Sequence, residues 1–458
     1  MTQASVQQPA AARSTLSDYY LVALGALLIG YALLGKTVAY IGVPPLYIGE
    51  VVFAFGVIAF LFSRCAIASL AALPNLMLAV LIGWGLIRTL PYVREDGFDA
   101  LRDGMLVLYG GFAFIVTALL LEKPERLQLL IKFLGVLALV LIPLAPFIEI
   151  MTNAAAHAEG EFVQWSLAHA KIGTTAVHLS AAALLVILGF KRPNLLWLLM
   201  LVAGMGVAAS LNRGAMLVII FMLSCGSILG GKLREFAVVV GVGAAVLGLA
   251  YAADLEIPTA RETRSISAEQ LVENVASVFG ARENQDLSGT KEWRLHWWDT
   301  IINYTINGDN FWTGKGFGVD LGADDNVIHI SPNNPVYPTR SPHSAHLTML
   351  ARAGVPGLAL WLLTLACWGT VVLTNMVRAR LMEDHAWASF FLLTFCYACG
   401  FLIDASVDVT LEGPMAGIWF WCVFGVGSGA SLIYRSELVR SGVLKGQLSP
   451  VPAAEPAR

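Results

Sequence analysis

The chain has 458 residues, of which 57% are hydrophobic and only 13% are charged. Soluble globular proteins carry roughly 25% charged residues, so this composition excludes a disordered chain, a small disulfide scaffold and an ordinary cytosolic enzyme. The net charge of −3 provides no general basic surface for nucleic acid. Together with a mean hydropathy of +0.70, the composition predicts an all-α polytopic membrane protein.

A membrane-spanning helix needs about 20 predominantly apolar residues. The sequence contains segments near this length at twelve places, which predicts about 12 transmembrane helices. In chain order they are 19–35, 46–63, 72–88, 104–121, 128–148, 174–190, 193–210, 214–230, 236–253, 349–375, 386–404 and 414–434. The first is interpreted as a membrane helix rather than a signal peptide, because no small-residue cleavage site follows it.

The Lys and Arg residues of the short loops are unequally distributed between the two sides of this layout. Most lie on the side of the N-terminus, and the positive-inside rule therefore predicts that both termini are cytoplasmic. The predicted organisation is a cytoplasmic N-terminus over 1–18, nine transmembrane helices over 19–253, a large extracytoplasmic loop over 254–346, three transmembrane helices over 347–434 and a cytoplasmic tail over 435–458.

The large loop carries its own pattern. From Trp293 to Thr305, in WRLHWWDTIINYT, apolar and polar residues alternate at helical spacing. This predicts short amphipathic helices lying on the membrane face. Gly, Pro and Asn cluster in the later segments GKGFG and SPNNPVYP, which predicts loop there. Four tryptophans argue against disorder and suit the lipid headgroup level: Trp293, Trp297, Trp298 and Trp312.

Two arginines on the outer side are candidates for binding an anion. Arg213, in SLNRGAM, begins a helix whose free N–H groups and positive dipole end face outward. Arg294, in KEWRLHWW, lies on the predicted amphipathic helix, and its forked guanidinium suits phosphate oxygens. The alternative for both is an interfacial arginine that reaches lipid headgroups.

Three further arginines are weaker candidates. Arg102 precedes the fourth apolar segment on the same side, but Asp99 and Asp103 flank it, so a local ion pair explains it equally well. Arg340 and Arg352 bracket the histidine motif in which the large loop re-enters the membrane.

His343 and His346 lie one helical turn apart at this re-entry point. Titratable groups at a membrane edge are functional candidates, although a single histidine is more often structural. No third ligand has a compatible spacing, so neither a metal nor another cofactor is predicted.

Glu412, with Asp404 and Asp408, brings carboxylates to the outer end of the last helix. There they are candidates for holding an arginine or orienting a histidine, and the alternative is a solvated turn.

These motifs together resemble a known family. The pair His343-Ser344, followed after nine residues by Gly354-Val355-Pro356-Gly357, resembles the signature of bacterial O-antigen ligases. The upstream run WRLHWWDTIINYTINGDNFWTGKGFG resembles that family's pattern of an Arg near a Trp before a Gly-rich turn, and SLNRGAM resembles its turn between two helices. The similarity covers about residues 170–430. Many relatives have Asn where this chain has Ser344.

The resemblance implies a GT-C-like glycosyltransferase in the bacterial inner membrane with its active site facing the periplasm. It implies transfer of a glycan from undecaprenyl diphosphate to lipid A–core, or to a growing glycan if the protein is a polymerase. It further implies inversion at the anomeric carbon without a metal. The implied roles are general base for His343, diphosphate binding for Arg213, Arg294, Arg102 and Arg340, and acceptor contact or support for His346, Ser344 and Glu412.

Two alternatives of other classes remain open. A transporter or flippase would predict two related halves and charges near the bilayer midplane. A non-catalytic scaffold for polysaccharide assembly would leave the histidine and arginines without a role. The ionisable residues concentrate at the outer helix ends, which favours the transferase.

Overall fold

A computed structural model describes residues 15–44, 46–155, 171–258, 265–278, 285–331 and 334–442. The predicted cytoplasmic segments over 1–14 and 443–458 lie outside the described residues. Within the described residues the chain is almost entirely helical, with three two-stranded antiparallel ribbons. The predicted all-α polytopic fold class is therefore confirmed.

The helices before the large loop are α1 (Leu16–Leu34), α2 (Lys36–Ala39), α3 (Ile48–Phe62), α4 (Leu73–Thr89), α5 (Val93–Asp96), α6 (Phe98–Leu108), α7 (Gly111–Glu122), α8 (Arg126–Ala155), α9 (Ile172–Ile187), α10 (Leu195–Leu211), α11 (Arg213–Gly230) and α12 (Leu233–Ala252). The loop contains α13 (Ala268–Val278), α14 (Gln285–Ile306) and α15 (Leu321–Asp324). Three helices follow it: α16 (Ala345–Leu381), α17 (His385–Val407) and α18 (Pro414–Arg440). The ribbons pair β1 (Gly42–Val43) with β2 (Leu46–Tyr47), β3 (Ile257–Pro258) with β4 (Ser265–Ile266), and β5 (Ile328–Ser331) with β6 (Asn334–Pro338).

Every one of the twelve predicted apolar segments coincides with an α-helix, one of them with the bent pair α6–α7. Among the described residues, eight helices are long and apolar enough to cross a membrane, and α6 and α7, bent by 41°, form a ninth if they count as one span. The apolar helices α3, α9 and α10 are shorter, with 15, 16 and 17 residues. The number of membrane crossings stays a prediction.

Asn and Asp caps set the starts of three helices. The Asn194 side chain accepts the Trp197 N–H at 2.8 Å before α10, and the Asp384 side chain accepts the Trp387 N–H at 3.1 Å before α17. The Asn212 side chain accepts the Ala215 N–H at 3.2 Å and is the N-cap of α11, which begins at Arg213. Such caps satisfy N–H groups that a helix start leaves unpaired.

The helix α16 is interrupted at Gly354, whose φ is +70°. A side chain is strained at this φ, and a Cβ at this position would lie 2.6 Å from the Phe311 carbonyl oxygen. The Val355 N–H donates to this same carbonyl at 2.8 Å instead of continuing the helix. Glycine is therefore required here because the loop backbone presses against the break.

The Gly-rich turn of the loop supplies the hydrogen bonds that the break removes. The Lys315 N–H donates to the Ala351 carbonyl at 2.7 Å, and the Gly316 N–H donates to the Arg352 carbonyl at 3.0 Å. In an unbroken helix Arg352 would pair with Pro356, which has no N–H. Membrane helices tolerate such breaks only where neighbouring groups pair with the freed backbone. The turn therefore holds the loop against α16.

Two features of the large loop bear on its prediction. The Trp297 side chain is fully buried, and its indole N–H donates to the Asp325 carboxylate at 2.6 Å. Trp297 therefore does not face lipid, whereas Trp312 is 70% exposed. The position of the four tryptophans at the headgroup level stays a prediction. Part of SPNNPVYP pairs as the strand β6 rather than forming loop, because its β-branched and aromatic residues suit a strand.

The helices α18 and α7 approach closely at Gly425. The Thr117 hydroxyl donates to the Gly425 carbonyl at 3.1 Å, and a Cβ on Gly425 would lie 2.6 Å from the Ala113 carbonyl oxygen. Small residues allow helix backbones to pack this tightly in membranes. This contact joins the N-terminal helices to the C-terminal ones.

We expect Gly425→Ala to destabilise the protein by about 1–3 kcal/mol, because the added methyl overpacks the α7–α18 contact. The matched control is Gly83→Ala on α4, where a Cβ would meet nothing within 4 Å. The control should leave the thermal unfolding temperature in detergent unchanged or raise it, since alanine favours helix. Equal unfolding temperatures for the two variants would contradict the close contact.

Candidate functional site

The end of α17 lies against Arg294 and against the start of α11, where Arg213 stands. The Arg294 Nη1–H, on α14, donates to the Val407 carbonyl at 2.9 Å. At the start of α11, a Cβ on Gly214 would lie 3.1 Å from Val407 Cγ2, and Arg213 is the preceding residue. Arg294 therefore contacts the last residue of α17 directly, and α11, which begins with Arg213, starts beside that residue.

His343 lies beside Arg294. Its imidazole contacts the edge of the Trp293 ring with centroids 5.5 Å apart, and the Arg294 guanidinium lies 5.7 Å from the centroid of that ring. The Trp298 indole N–H donates to the Pro342 carbonyl at 2.8 Å. The helix α14 thus holds both the histidine and the chain just before it.

The backbone and ring of His343 are both specifically placed. Its φ of +55° lies in the left-handed region, which histidine visits more often than most residues but which is still uncommon. Its Nδ1 lies 3.1 Å from the Ser341 carbonyl oxygen. A carbonyl only accepts, so Nδ1 carries the proton of the neutral ring and Nε2 has the free lone pair. Among the described residues Nε2 has no hydrogen-bond partner.

The surroundings keep this imidazole neutral. Burial, followed by the positive charge of Arg294, lowers the pKa of His343, and Asp408 acts in the opposite direction. Lys171 is the other nearby cation; its ammonium donates to the Val409 carbonyl at 2.6 Å and lies 3.4 Å from the Asp408 carboxylate. At neutral pH the Nε2 lone pair is therefore available to accept a proton.

The two arginines present unpaired donors. Within the described part of the chain, Nε and Nη2 of Arg213 and Nε of Arg294 are buried without a hydrogen-bond partner. Burial lowers the pKa of Arg294, with Asp408 acting in the opposite direction, but a guanidinium stays charged at neutral pH. Buried cationic donors without partners are costly unless an anion completes them. The N-terminus of α11 adds its positive dipole end at Arg213.

The other two predicted arginines have carboxylate partners. Arg340 lies 3.1 Å from Asp103, 3.3 Å from Asp320 and 3.4 Å from Asp99. Arg102 lies 2.9 Å from Asp99 and 3.2 Å from Asp103. The structure thus shows the ion pairs that the sequence offered as the alternative for Arg102. The Arg340 pairs join the large loop to α6, whereas the Arg102 pairs lie within α6.

His346 is engaged at both ring nitrogens. The Trp361 indole N–H donates to its Nδ1 at 3.0 Å, so the neutral ring carries its proton on Nε2. That Nε2 lies 3.1 Å from the Ser406 hydroxyl, to which it donates. His346 therefore has no free lone pair, and of the two histidines only His343 is arranged as a proton acceptor.

Glu412 supports the residue that orients His343. Its carboxylate accepts the Ser341 hydroxyl at 2.6 Å and the Thr348 hydroxyl at 2.7 Å, and burial raises the pKa of Glu412. The solvated turn that the sequence offered as an alternative is wrong for this carboxylate. Ser344, which is 2% exposed, is the N-cap residue of α16, and its carbonyl accepts the Thr348 N–H at 2.8 Å.

Sequence reasoning gave too little weight to two residues. Arg352 is 1% exposed, and its guanidinium lies 3.0 Å from Asp103 and donates to the Val319 carbonyl at 2.9 Å. An arginine within an apolar helix is rare and was the available signal. Lys171 was treated only as a loop cation, because nothing in the sequence indicates its contact with Asp408.

The described residues contain no group of three or more His, Cys, Asp or Glu side chains that could hold a metal ion. The expectation of a metal-free site stays a prediction.

Part of the chain that holds these residues matches a known protein family. Residues 198–362 match the family model described as O-antigen ligase. No curated protein matches the chain. The matched range includes Arg213, Arg294, His343 and the break at Gly354, so the resemblance predicted from the motifs is confirmed. The chain is a membrane protein of many α-helices, and its residues 198–362 match the O-antigen ligase family.

Proposed function

We propose that the protein is a glycosyltransferase that moves a glycan from undecaprenyl diphosphate to the lipid A–core, with inversion and without a metal. The observation that carries this proposal is a neutral, oriented His343 beside Arg294, together with buried, unpaired guanidinium donors on Arg294 and on Arg213 at the nearby start of α11. The family match supports ligase or polymerase chemistry. The site then faces the periplasm of the inner membrane, because the loops at the opposite helix ends hold most of the Lys and Arg residues.

The proton transfer is assigned to His343. As the acceptor hydroxyl oxygen attacks the anomeric carbon, Nε2 takes its proton, and the bond between the anomeric carbon and the diphosphate oxygen breaks. The electron pair of that bond leaves with the lipid diphosphate, and attack from the opposite side inverts the anomeric centre. General base catalysis of this kind contributes about 10²- to 10⁴-fold. Glu412 acts through Ser341, whose carbonyl sets the tautomer of the ring.

Stabilisation of the diphosphate leaving group is assigned to Arg213 and Arg294. Two forked guanidiniums and the α11 N-terminus supply the positive charge that a diphosphate needs as charge develops on it. Binding this anion completes the buried donors. It also raises the pKa of His343, because negative charge favours the imidazolium that forms during transfer. No metal or other cofactor enters the scheme.

The second candidate function is a polymerase that extends a growing glycan. The same family match favours it, and the base and the arginines would have the same roles. The two functions differ only in the acceptor.

We expect His343→Asn to lower kcat by at least about 10²-fold, because no proton acceptor remains. Asn is chosen because it tolerates the left-handed backbone better than Ala. The matched control is His346→Asn, which removes an imidazole one turn away and should retain most activity. Initial rates of glycan transfer in proteoliposomes measure this, with thermal unfolding to confirm folding. An inactive His346 variant beside an active His343 variant would reverse the assignment.

We expect Arg213→Lys and Arg294→Lys each to reduce kcat by roughly 10²-fold, although both keep the charge. An ammonium cannot supply the forked pair of donors that the diphosphate requires. The matched control is Arg102→Lys, whose cation is half exposed at 43% and paired with Asp99; it should remain close to wild type. The wild type, the two site variants and the control are assayed in excess EDTA. Transfer by the wild type should persist there, because the proposed mechanism uses no metal. Full activity of both the Arg213 and the Arg294 variant would contradict diphosphate binding and favour the alternative, in which these arginines only contact lipid headgroups.

The acidic side of the pH profile should report His343. Because its pKa is lowered, kcat/KM should fall only below about pH 6.5, the ordinary value, as the ring becomes protonated. The Asp408 charge raises this pKa, so Asp408→Asn should move the acidic limb to still lower pH. The control Asp299→Asn, an exposed site on α14, should leave it in place. An unchanged or upward-shifted limb in Asp408→Asn would contradict the assignment.

A further inference from the structure

A second cavity lies at the opposite ends of the helices that carry the His343 site. The site contacts Lys171 before α9, Arg213 at the start of α11 and Val407 at the end of α17. The cavity, of about 470 Å³, is lined by the other ends of the same helices. The 23 residues of α17 span about 35 Å at 1.5 Å per residue, close to the thickness of a bilayer core. The cavity therefore lies at the other membrane face.

One side of this cavity is cationic. Lys232, Arg380 and His385 line it, and the last is the first residue of α17. An Arg380 Nη1–H donates to the Leu229 carbonyl, and among the described residues Arg380 has no carboxylate partner. Lys232 has a carboxylate only at 3.8 Å, that of Glu235. The lining of the cavity thus contains two cations and no carboxylate side chain.

The other side is apolar. It is formed by side chains from the ends of four helices and the turns next to them, namely Leu188, Phe190, Leu229, Met376 and Leu392. A free inorganic anion would use only the cationic side and leave this wall uncovered. A ligand with an anionic head and a hydrocarbon chain matches both sides. Basic pockets between membrane helices bind anionic headgroups on this physical basis.

We propose that this cavity binds an anionic phospholipid of the leaflet opposite the His343 site. The phosphodiester contacts Arg380, in the last turn of α16, and Lys232, just before α12. The first part of an acyl chain covers Leu229, which is 37% exposed, and the half-buried Phe190. Bound there, the lipid joins the ends of α9, α11 and α17, the three helices on which the His343 site is built. The inference rests on the cavity and does not depend on the proposed glycosyl transfer.

The test measures binding of fluorescent phosphatidylglycerol to the full chain in detergent, with phosphatidylcholine as the zwitterionic lipid and inorganic phosphate as the competing free anion. Phosphatidylglycerol should bind more tightly than phosphatidylcholine. Arg380→Gln and Lys232→Gln should each weaken its binding on the order of fivefold, since one cation near a headgroup contributes about 1 kcal/mol. The double variant should lose roughly 25-fold by the same measure.

The matched control is Arg378→Gln, two residues from Arg380, whose charge acts on Tyr434 rather than on the cavity; it should bind phosphatidylglycerol like wild type. Because Arg380 also bonds the α11 end, Ser389→Phe provides a second route, filling the apolar part while keeping every charge. It should weaken binding with an unchanged unfolding temperature. Three results would each overturn the proposal: equal affinity for both lipids, full competition by millimolar phosphate, or an equal loss of phosphatidylglycerol affinity in Arg378→Gln and Arg380→Gln.

Discussion

The interruption of α16 at Gly354 is the constraint on which the site depends. A helix that lost its backbone pairing inside a membrane would be unstable without substitutes, and the Gly-rich turn supplies them at Ala351 and Arg352. This exchange of hydrogen-bond partners fastens the large loop to the membrane helices at one defined place. It fixes the short helical segment that follows His343 and holds the loop helix that carries Arg294. The Gly-Val-Pro-Gly motif is therefore a docking device rather than part of the reacting groups.

The charges around this junction divide into two kinds. Arg102, Arg340 and Arg352 share the carboxylates of Asp99, Asp103 and Asp320. Three positive charges therefore meet three negative ones, and the pairs of Arg340 and Arg352 hold the loop. By contrast, Arg213 and Arg294 keep buried donors unpaired, and Arg294 does so beside a neutral His343. Leaving cations unpaired costs stability, and such costs concentrate where a ligand offsets them. This contrast separates the site from the scaffold more clearly than burial alone does.

Hydrophobic length predicted the helices well, because a bilayer demands long apolar segments and the chain has no other way to bury them. The resemblance to O-antigen ligases pointed to Arg213, Arg294 and His343 because their motifs are local in sequence. The roles of Arg340 and Trp297 were not accessible from sequence, because their partners, Asp103 and Asp325, are set by tertiary packing. The tautomers that distinguish His343 from His346 depend on the same packing and require coordinates.

The most direct test of the account is transfer by the purified protein in proteoliposomes containing an undecaprenyl-diphosphate-linked glycan, with lipid A–core added as acceptor. Gel analysis follows the glycan from one lipid to the other, and a parallel reaction offers only a growing glycan. The account predicts glycan on lipid A–core, release of the lipid diphosphate and no requirement for a divalent ion. Extension of glycan chains alone would identify the polymerase instead. No transfer to either acceptor, with donor bound and protein folded, would contradict the central claim.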